Sequence, residues 1–318
     1  GDPSVFEAYL RGRIKQRAGT VASVADAVEQ YKRAVRIDAN HAPSWAQLAQ
    51  CYLLEAVSLR VRPLADALPL ARDAAERALG LDDSLAAAHE ARALVRFYGD
   101  WDFEEARHDF ERAVELNPNS GDTRQGYAMF LAARRRLPEA MQQMQSAVTL
   151  DPVAPRSQAA LGMLWHYARS NQLAERAFRD VLAVNPRVLS ARFGLARVLL
   201  VTRRPDEALR ELELMKSQSD GLLPPAPRAA MGIAYAALGR QSEARDVAEA
   251  LAGEEADSVE AASVFTAVGN HDRALGILER ALDARNPAVL FLPLDQRFDG
   301  LRQEPRFVQL LHRLGAIG

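Results

Sequence analysis

Apolar and polar positions along this chain recur at spacings of three and four, the signature of amphipathic helices. In "EEARHDFERAVELNP", residues 104–118, Ala106, Phe110 and Ala113 fall on one helical face, and the run stops at Asn117-Pro118. Proline has no N–H to donate and its ring clashes with the preceding turn, so it ends a helix. The residue before it is also pushed out of the helical region. Further stops of the same kind stand at Asp151-Pro152 and Asn185-Pro186, so the marks are 34 residues apart twice in succession. A fixed period of that length predicts a repeat architecture.

Aligning the chain on these stops brings small residues into register. The second helix of each expected unit carries Ala27, Ala71, Ala106, Ala140, Ala174, Ala208, Ala244 and Ala274. A mostly bulky side chain follows four residues later, as at Tyr31, Phe110, Met144, Phe178, Leu212 and Leu278. The first helices carry their own small position at Ala49, Ala93, Ala128, Gly162, Ala196, Gly232 and Ala262, moving through the same gaps of 44, 35, 34, 34, 36 and 30 residues. Two helices approach to about 8–10 Å when the residues at their crossing are small. The pattern therefore predicts closely packed helix pairs. Pro138-Glu139 and Pro205-Asp206-Glu207 read as helix starts, with proline in the first turn and carboxylates at the positive end of the helix dipole. Asp102 reads as an N-cap.

These residues resemble the tetratricopeptide repeat family, whose unit is a 34-residue helix–turn–helix. The first-helix pattern of that family is closest in "WAQLAQCY" (Trp45, Leu48, Ala49, Tyr52) and visible in "LGMLW" and "MGIAYAALGR". Its second-helix pattern is complete through Ala106, Phe110, Ala113 and Pro118. The resemblance implies an all-α, right-handed superhelical solenoid of about eight units in a single array over residues 1–318. The expected units are 4–38, 42–82, 84–117, 119–151, 153–185, 187–219, 224–253 and 256–286, with a cap over 287–318. The cap contains a closing helix near residues 305–314, whose apolar face is Phe307, Val308, Leu310, Leu311 and Leu314. Insertions are expected at "VSLRVRPLADALP", between the helices of the second unit, and at "SDGLLPPAP", between the sixth and seventh.

The two ends, "FEAYLRGRIKQR" and "LPLDQRFDGLRQEPRFVQLLHRLG", are similar to the flanks of repeat regions in bacterial signalling proteins. In that group the repeats follow a Ser/Thr kinase, a nucleotide cyclase or a winged-helix DNA-binding domain. The opening "GDPSVFEAYL" lacks an initiator methionine, so a segment cut from a longer parent with such an output domain is one expectation.

Composition narrows the chemistry. With 40 basic and 42 acidic residues the net charge is -2, which does not favour a nucleic-acid partner for this segment. No apolar run reaches the ~18 residues of a membrane span, so insertion is not expected. The single cysteine, Cys51, forms no intramolecular disulfide and reads as a small core residue. The six histidines are scattered, and neither metal-ligand spacing nor a glycine-rich phosphate loop occurs. We expect no catalytic residues, no metal and no cofactor. The basic clusters Arg11-Arg13-Lys15-Arg17, Arg134-Arg135-Arg136 and Arg203-Arg204 read as solvated helix ends and turns.

What remains is the inner surface. In stacked helix pairs the first helices line the concave side. The inner positions include Gln50, Gln125, Met129, Met163, His166, Tyr167, Phe193, Arg197 and Ile233. Family members that clamp a chaperone C-terminal carboxylate use Lys and Asn there, and this sequence has neither at matching places. The expected function is a non-enzymatic scaffold whose groove holds a peptide, helix or extended segment of a protein partner. The docking site is expected at the fifth and sixth units, around Met163, Tyr167, Phe193 and Arg197. The alternative is a sensory module that binds a small ligand or signal peptide and controls a tethered output domain.

Overall fold

The computed structural model describes residues 2–152, 154–219, 221 and 223–315. Gly1, Val153 at the start of the fifth expected unit, Asp220 and Leu222 in the second expected insertion, and residues 316–318 of the cap lie outside the described residues. Helices dominate, and no strand occurs among the described residues. The chain divides into two compact units, residues 1–130 and 131–318.

The first unit contains α1 (Pro3–Ala18), α2 (Val21–Ile37), α3 (Ala42–Leu53), α4 (Leu64–Leu81), α5 (Ala86–Val95) and α6 (Phe103–Leu116). Helix α7 (Gly121–Ala133) runs across the division. Helices α1/α2, α3/α4 and α5/α6 form antiparallel-type hairpins by sequence adjacency, and each pair packs on the next through α2 on α3 and α4 on α5. The second unit continues with α8 (Leu137–Leu150), α9 (Pro155–Tyr167), α10 (Asn171–Val184), α11 (Leu189–Val201), α12 (Pro205–Ser217), α13 (Pro225–Ala237), α14 (Gln241–Glu254), α15 (Val259–Ala267) and α16 (His271–Asp283). Here α9/α10, α11/α12, α13/α14 and α15/α16 pair and stack in the same way. Helix α17 (Pro305–Arg313) packs on α16 and buries Phe307, Leu310 and Leu311.

The small residues sit where close packing requires them. Ala27, Ala71, Ala106, Ala140, Ala174, Ala208, Ala244 and Ala274 are all fully buried. Phe178 shows why the facing positions stay small. A Cβ on Gly162 or Gly194 would come within 2.8 Å or 2.3 Å of its ring, so α9 and α11 meet it with bare backbone. Helix ends follow the sequence cues. Helices α6, α8 and α10 stop at Leu116, Leu150 and Val184, immediately before the Asn-Pro and Asp-Pro pairs. The Asp102 carboxylate accepts the Glu105 N–H at 3.3 Å as an N-cap.

Turn chemistry differs between the units. In the first, α3 and α5 each run on into a π-turn, at Leu54–Ser58 and Arg96–Asp100. Left-handed residues stand in the turns of both units, at Gly19, Arg60 and Trp101 in the first and at Arg169, Arg203, Gly239 and Gly269 in the second. One expectation is corrected here. "VSLRVRPLADALP" is not all linker, because Leu64 already starts α4 and Pro69 stands inside that helix. Proline at this sixth position forgoes the N–H bond that would reach the Ala65 carbonyl, so α4 continues through it with one hydrogen bond fewer.

Between α16 and α17 the chain forms two 3₁₀ turns, Pro287–Phe291 and Gln296–Leu301. Val289, Leu290, Leu292, Leu294, Phe298 and Leu301 are all buried, which is unusual for a connection. This segment decides what the inner face of the second unit can do.

Candidate functional site: two inner faces

In the second unit, α9 and α11 bring together the four side chains on which the expected docking site was centred. The Arg197 guanidinium lies over the rings of Tyr167, at 5.8 Å, and Phe193, at 6.0 Å. Its Nη1 is 3.6 Å from Met163 Sδ. Phe193 and Arg197 are one turn apart on α11 and share a face, as the spacing dictates.

That surface is already occupied by the protein's own residues 287–301. The Phe291 ring stacks on Tyr167 with centroids 5.7 Å apart and planes 17° from parallel. Arg197 Nη2 is 3.5 Å from Asp295 Oδ1, and Arg297 closes on the same carboxylate at 2.6 Å. Gln296 Nε2 donates to the His166 carbonyl at 2.6 Å, while Asn171 Nδ2 donates to Gln296 Oε1 at 3.2 Å. At the rim, Arg169 forms a two-pronged pair with Asp299 at 2.6 and 2.8 Å. Such contacts, between residues about 130 positions apart, join the end of the chain to the first helices of the unit.

Burial sets the protonation states. Burial alone would raise the Asp295 carboxyl, but the Arg297 and Arg197 guanidiniums outweigh it and hold it well below the usual carboxylate range. Arg297 is correspondingly held charged, its own burial cost offset by Asp295. Burial, with Arg197 nearby, pushes His166 down to about 4. The imidazole is therefore held neutral at pH 7, and its Nδ1 lies 3.0 Å from Asn171 Oδ1 and 3.3 Å from Gln296 Nε2.

Three of the expected site residues lie under this segment. His166, Tyr167 and Arg197 are not open groove, because the chain's own segment covers and bonds them. Met163, Phe193 and Ile233 are half-buried. Sequence reasoning missed Phe291, Asp295, Gln296 and Asp299. A signal was present: apolar residues fall too densely in "AVLFLPLDQRFDGL" for a solvated connection.

The inner face of the first unit differs. Gln50 lies with Pro43 and Leu54 on the least covered side of α3. Gln125 and Met129 lie with Asp122 on the corresponding side of α7, and all three predicted residues here are half-buried. The Gln50 side-chain nitrogen is buried and finds no hydrogen-bond partner among the described residues. An orphaned buried donor is costly, on the order of 1–3 kcal/mol, and calls for an acceptor. Arg13 of α1 reaches Asp122 of α7 at 3.3 Å, linking residues 109 positions apart within this unit.

Two further buried side chains are Asp109 and Cys51. Asp109 is buried and bonded by Arg92 and Arg96. Burial pushes the Cys51 thiol up to about 12, so it is no nucleophile at neutral pH. Among the described residues, no group of three or more His, Cys, Asp or Glu is placed to hold a metal, and no helix is long and apolar enough to cross a membrane.

Stacked helix pairs with small residues at every crossing define an all-α solenoid. Residues 99–164 and 166–221 each match a family model described as tetratricopeptide repeat. Residues 99–221 thus match tetratricopeptide repeats, and proteins built from such repeats are generally protein–protein interaction scaffolds. Solved structures of the same type agree on the fold. A tetratricopeptide repeat protein from Parabacteroides merdae is 15% identical, covers 84% of this chain and 99% of its own, and superposes with a TM-score of 0.55. PilW, a type IV pilus biogenesis factor, is 22% identical over 70% of this chain and 98% of its own, with a TM-score of 0.54. The Cut9–Hcn1 hetero-tetramer of the APC/C gives 14% identity over 92% of this chain and 52% of the other, with a TM-score of 0.64. No curated protein matches the chain.

Proposed function

We propose that the chain is a non-enzymatic scaffold that grips short protein segments on the inner faces of its first helices. The observation that carries this reading is the second unit's grip on residues 287–301. There an aromatic stack, a carboxylate on Arg197 and side-chain amide bonds hold an irregular segment without help from any β-strand. The same kind of surface in the first unit, lined by Gln50, Gln125 and Met129, holds no such segment of the described chain. An external segment docks there, with a backbone carbonyl accepting from the Gln50 amide. A regulatory role, in which occupancy of this face is read by a tethered output domain, is the second reading; it rests on the likeness of the two ends to repeat regions of bacterial signalling proteins.

Selection of a displayed random peptide library on the full chain tests the scaffold reading. Enriched peptides should bind at least tenfold more weakly to Met129→Glu or Gln50→Ala and equally to Phe193→Ala. Failure to enrich any peptide, or binding indifferent to Met129 and Gln50, would sink it.

A further inference from the structure

The segment over the second inner face is a poor partner for the arginine it covers. The Arg197 side chain is only 11% exposed, yet none of its N–H groups meets an oxygen at the roughly 2.7–2.9 Å of a charge-assisted hydrogen bond. Nη1 has the Met163 sulfur at 3.6 Å, Nη2 stands 3.5 Å from Asp295 Oδ1, and Nε is buried with no hydrogen-bond partner among the described residues. Asp295 is engaged elsewhere. Its two oxygens accept from Nε and Nη2 of Arg297, in the same segment, at 2.6 to 3.0 Å. The carboxylate brought to the face thus serves the segment's own cation first. Leaving buried donors unsatisfied is costly, and the rings of Tyr167 and Phe193 hold the guanidinium in place for a better acceptor. The cover itself is irregular. It consists of two 3₁₀ turns, tied at the rim by the Arg169–Asp299 pair, whose side chains are 50% and 40% exposed.

We propose that residues 287–301 are a built-in occupant of this face, displaced by a segment of a partner protein that carries an aromatic residue, aliphatic residues after it and a carboxylate four positions on, with no arginine two positions later. The resting occupant supplies the template. Phe291 stacks on Tyr167, Leu292 and Leu294 are buried, and Asp295 is directed at Arg197. An incoming carboxylate without a counterpart of Arg297 is free to take Arg197 in the two-pronged geometry that Asp295 does not reach. Its aromatic neighbour replaces the Phe291 stack, so contacts are exchanged rather than lost. The same segment of a second copy is a poor displacer. It brings the same engaged carboxylate, and exchange between copies would break the two 3.2 Å bonds of Asn286 Nδ2 to Asp257 in each chain.

The inference goes beyond the first-unit reading and fails separately from it. The probe is a labelled synthetic peptide of residues 287–301 carrying Arg297→Ala, beside one twin that adds Asp295→Asn and another that keeps Arg297. Fluorescence anisotropy is read on the full chain, on Asp299→Ala, which releases the rim pair at an exposed position, and on Met129→Glu in the first unit. The first peptide should bind Asp299→Ala at least about threefold more tightly than the unchanged chain. Each twin should bind at least about threefold more weakly than the first peptide, and Met129→Glu should change nothing. Hydrogen exchange of the full chain should show amides of residues 287–301 opening at least about tenfold faster than those of α11. No binding to either chain, equal binding by the three peptides, or loss of binding in Met129→Glu overturns the proposal. So does exchange no faster than that of α11, which would mean that the segment opens only with the whole unit. A dimer of Asp299→Ala in sedimentation velocity would assign the face to a second copy, and would overturn it equally.

Discussion

Two inner faces built from the same repeat are covered to different extents. Along residues 131–318, the surfaces of α9 and α11 are covered by residues 287–301, with an aromatic stack, a buried carboxylate between two guanidiniums and a set of amide bonds. Along residues 1–130, Gln50 of α3 and Gln125 and Met129 of α7 stay half-buried, Gln50 keeps a donor without a partner among the described residues, and Arg13 of α1 pairs with Asp122 of α7. The first arrangement is a covered core, although Arg197 Nε, like Gln50 Nε2, is buried there without a hydrogen-bond partner among the described residues. What separates the two is therefore coverage, since Gln50, Gln125 and Met129 stay half-buried whereas His166 and Tyr167 are buried.

That contrast predicts unequal consequences when each face is disturbed. The largest should come from Asp295→Ala, which leaves Arg197 and Arg297 buried without their carboxylate. Removing one partner of a buried ion pair costs about 3–5 kcal/mol. Chemical denaturation should show that loss; a change below about 1 kcal/mol would mean the segment is not part of the core.

Acid should act next. The folded His166 sits at about 4, below its unfolded value, so it contributes fully above the unfolded pKa and its stability is lost as pH falls toward 4. Between pH 7 and pH 5 the loss should be about 2 kcal/mol, and His166→Gln should remove that slope. An unchanged slope in the variant would place His166 in contact with water.

Overpacking a crossing should follow. Ala174→Leu forces a larger side chain into a fully buried site and should cost about 1–3 kcal/mol, whereas Leu at the exposed Gln142 should be nearly neutral. Equal melting temperatures for the two would mean that the repeat register is wrong. The smallest effect belongs to the open face. Arg13→Ala removes an exposed pair and should change stability by about 0–1 kcal/mol. A loss as large as that of Asp295→Ala would erase the distinction between the two faces.

The repeat was legible in sequence because its determinants are local and periodic. Proline stops, first-turn carboxylates and alanines at crossings act within one or two turns of helix, and α6, α8 and α10 end where those cues place them. The clustering of Met163, Tyr167, Phe193 and Arg197 was also legible, since repeat spacing carries one first helix onto the next. What covers them was not. The bond from Gln296 to His166 spans 130 positions, and no local rule ties a connection after the last helix pair to α9. Apolar density in residues 287–301 said that the segment must be buried, but not on what. The π-turns after α3 and α5 left no readable mark either, because no residue type dictates an extra residue in the turn.

The central claim, one face filled by the chain itself and one left open, can be measured directly by hydroxyl-radical footprinting of the full chain with mass spectrometry. Phe6, more than half exposed, calibrates the rate for an open ring. The account predicts that Met129 is readily oxidised, while Tyr167 and Phe298 are protected by at least tenfold relative to Phe6. Modification of Tyr167 and Phe298 at rates close to that of Phe6 would show the segment lifted from the face, and would contradict the account.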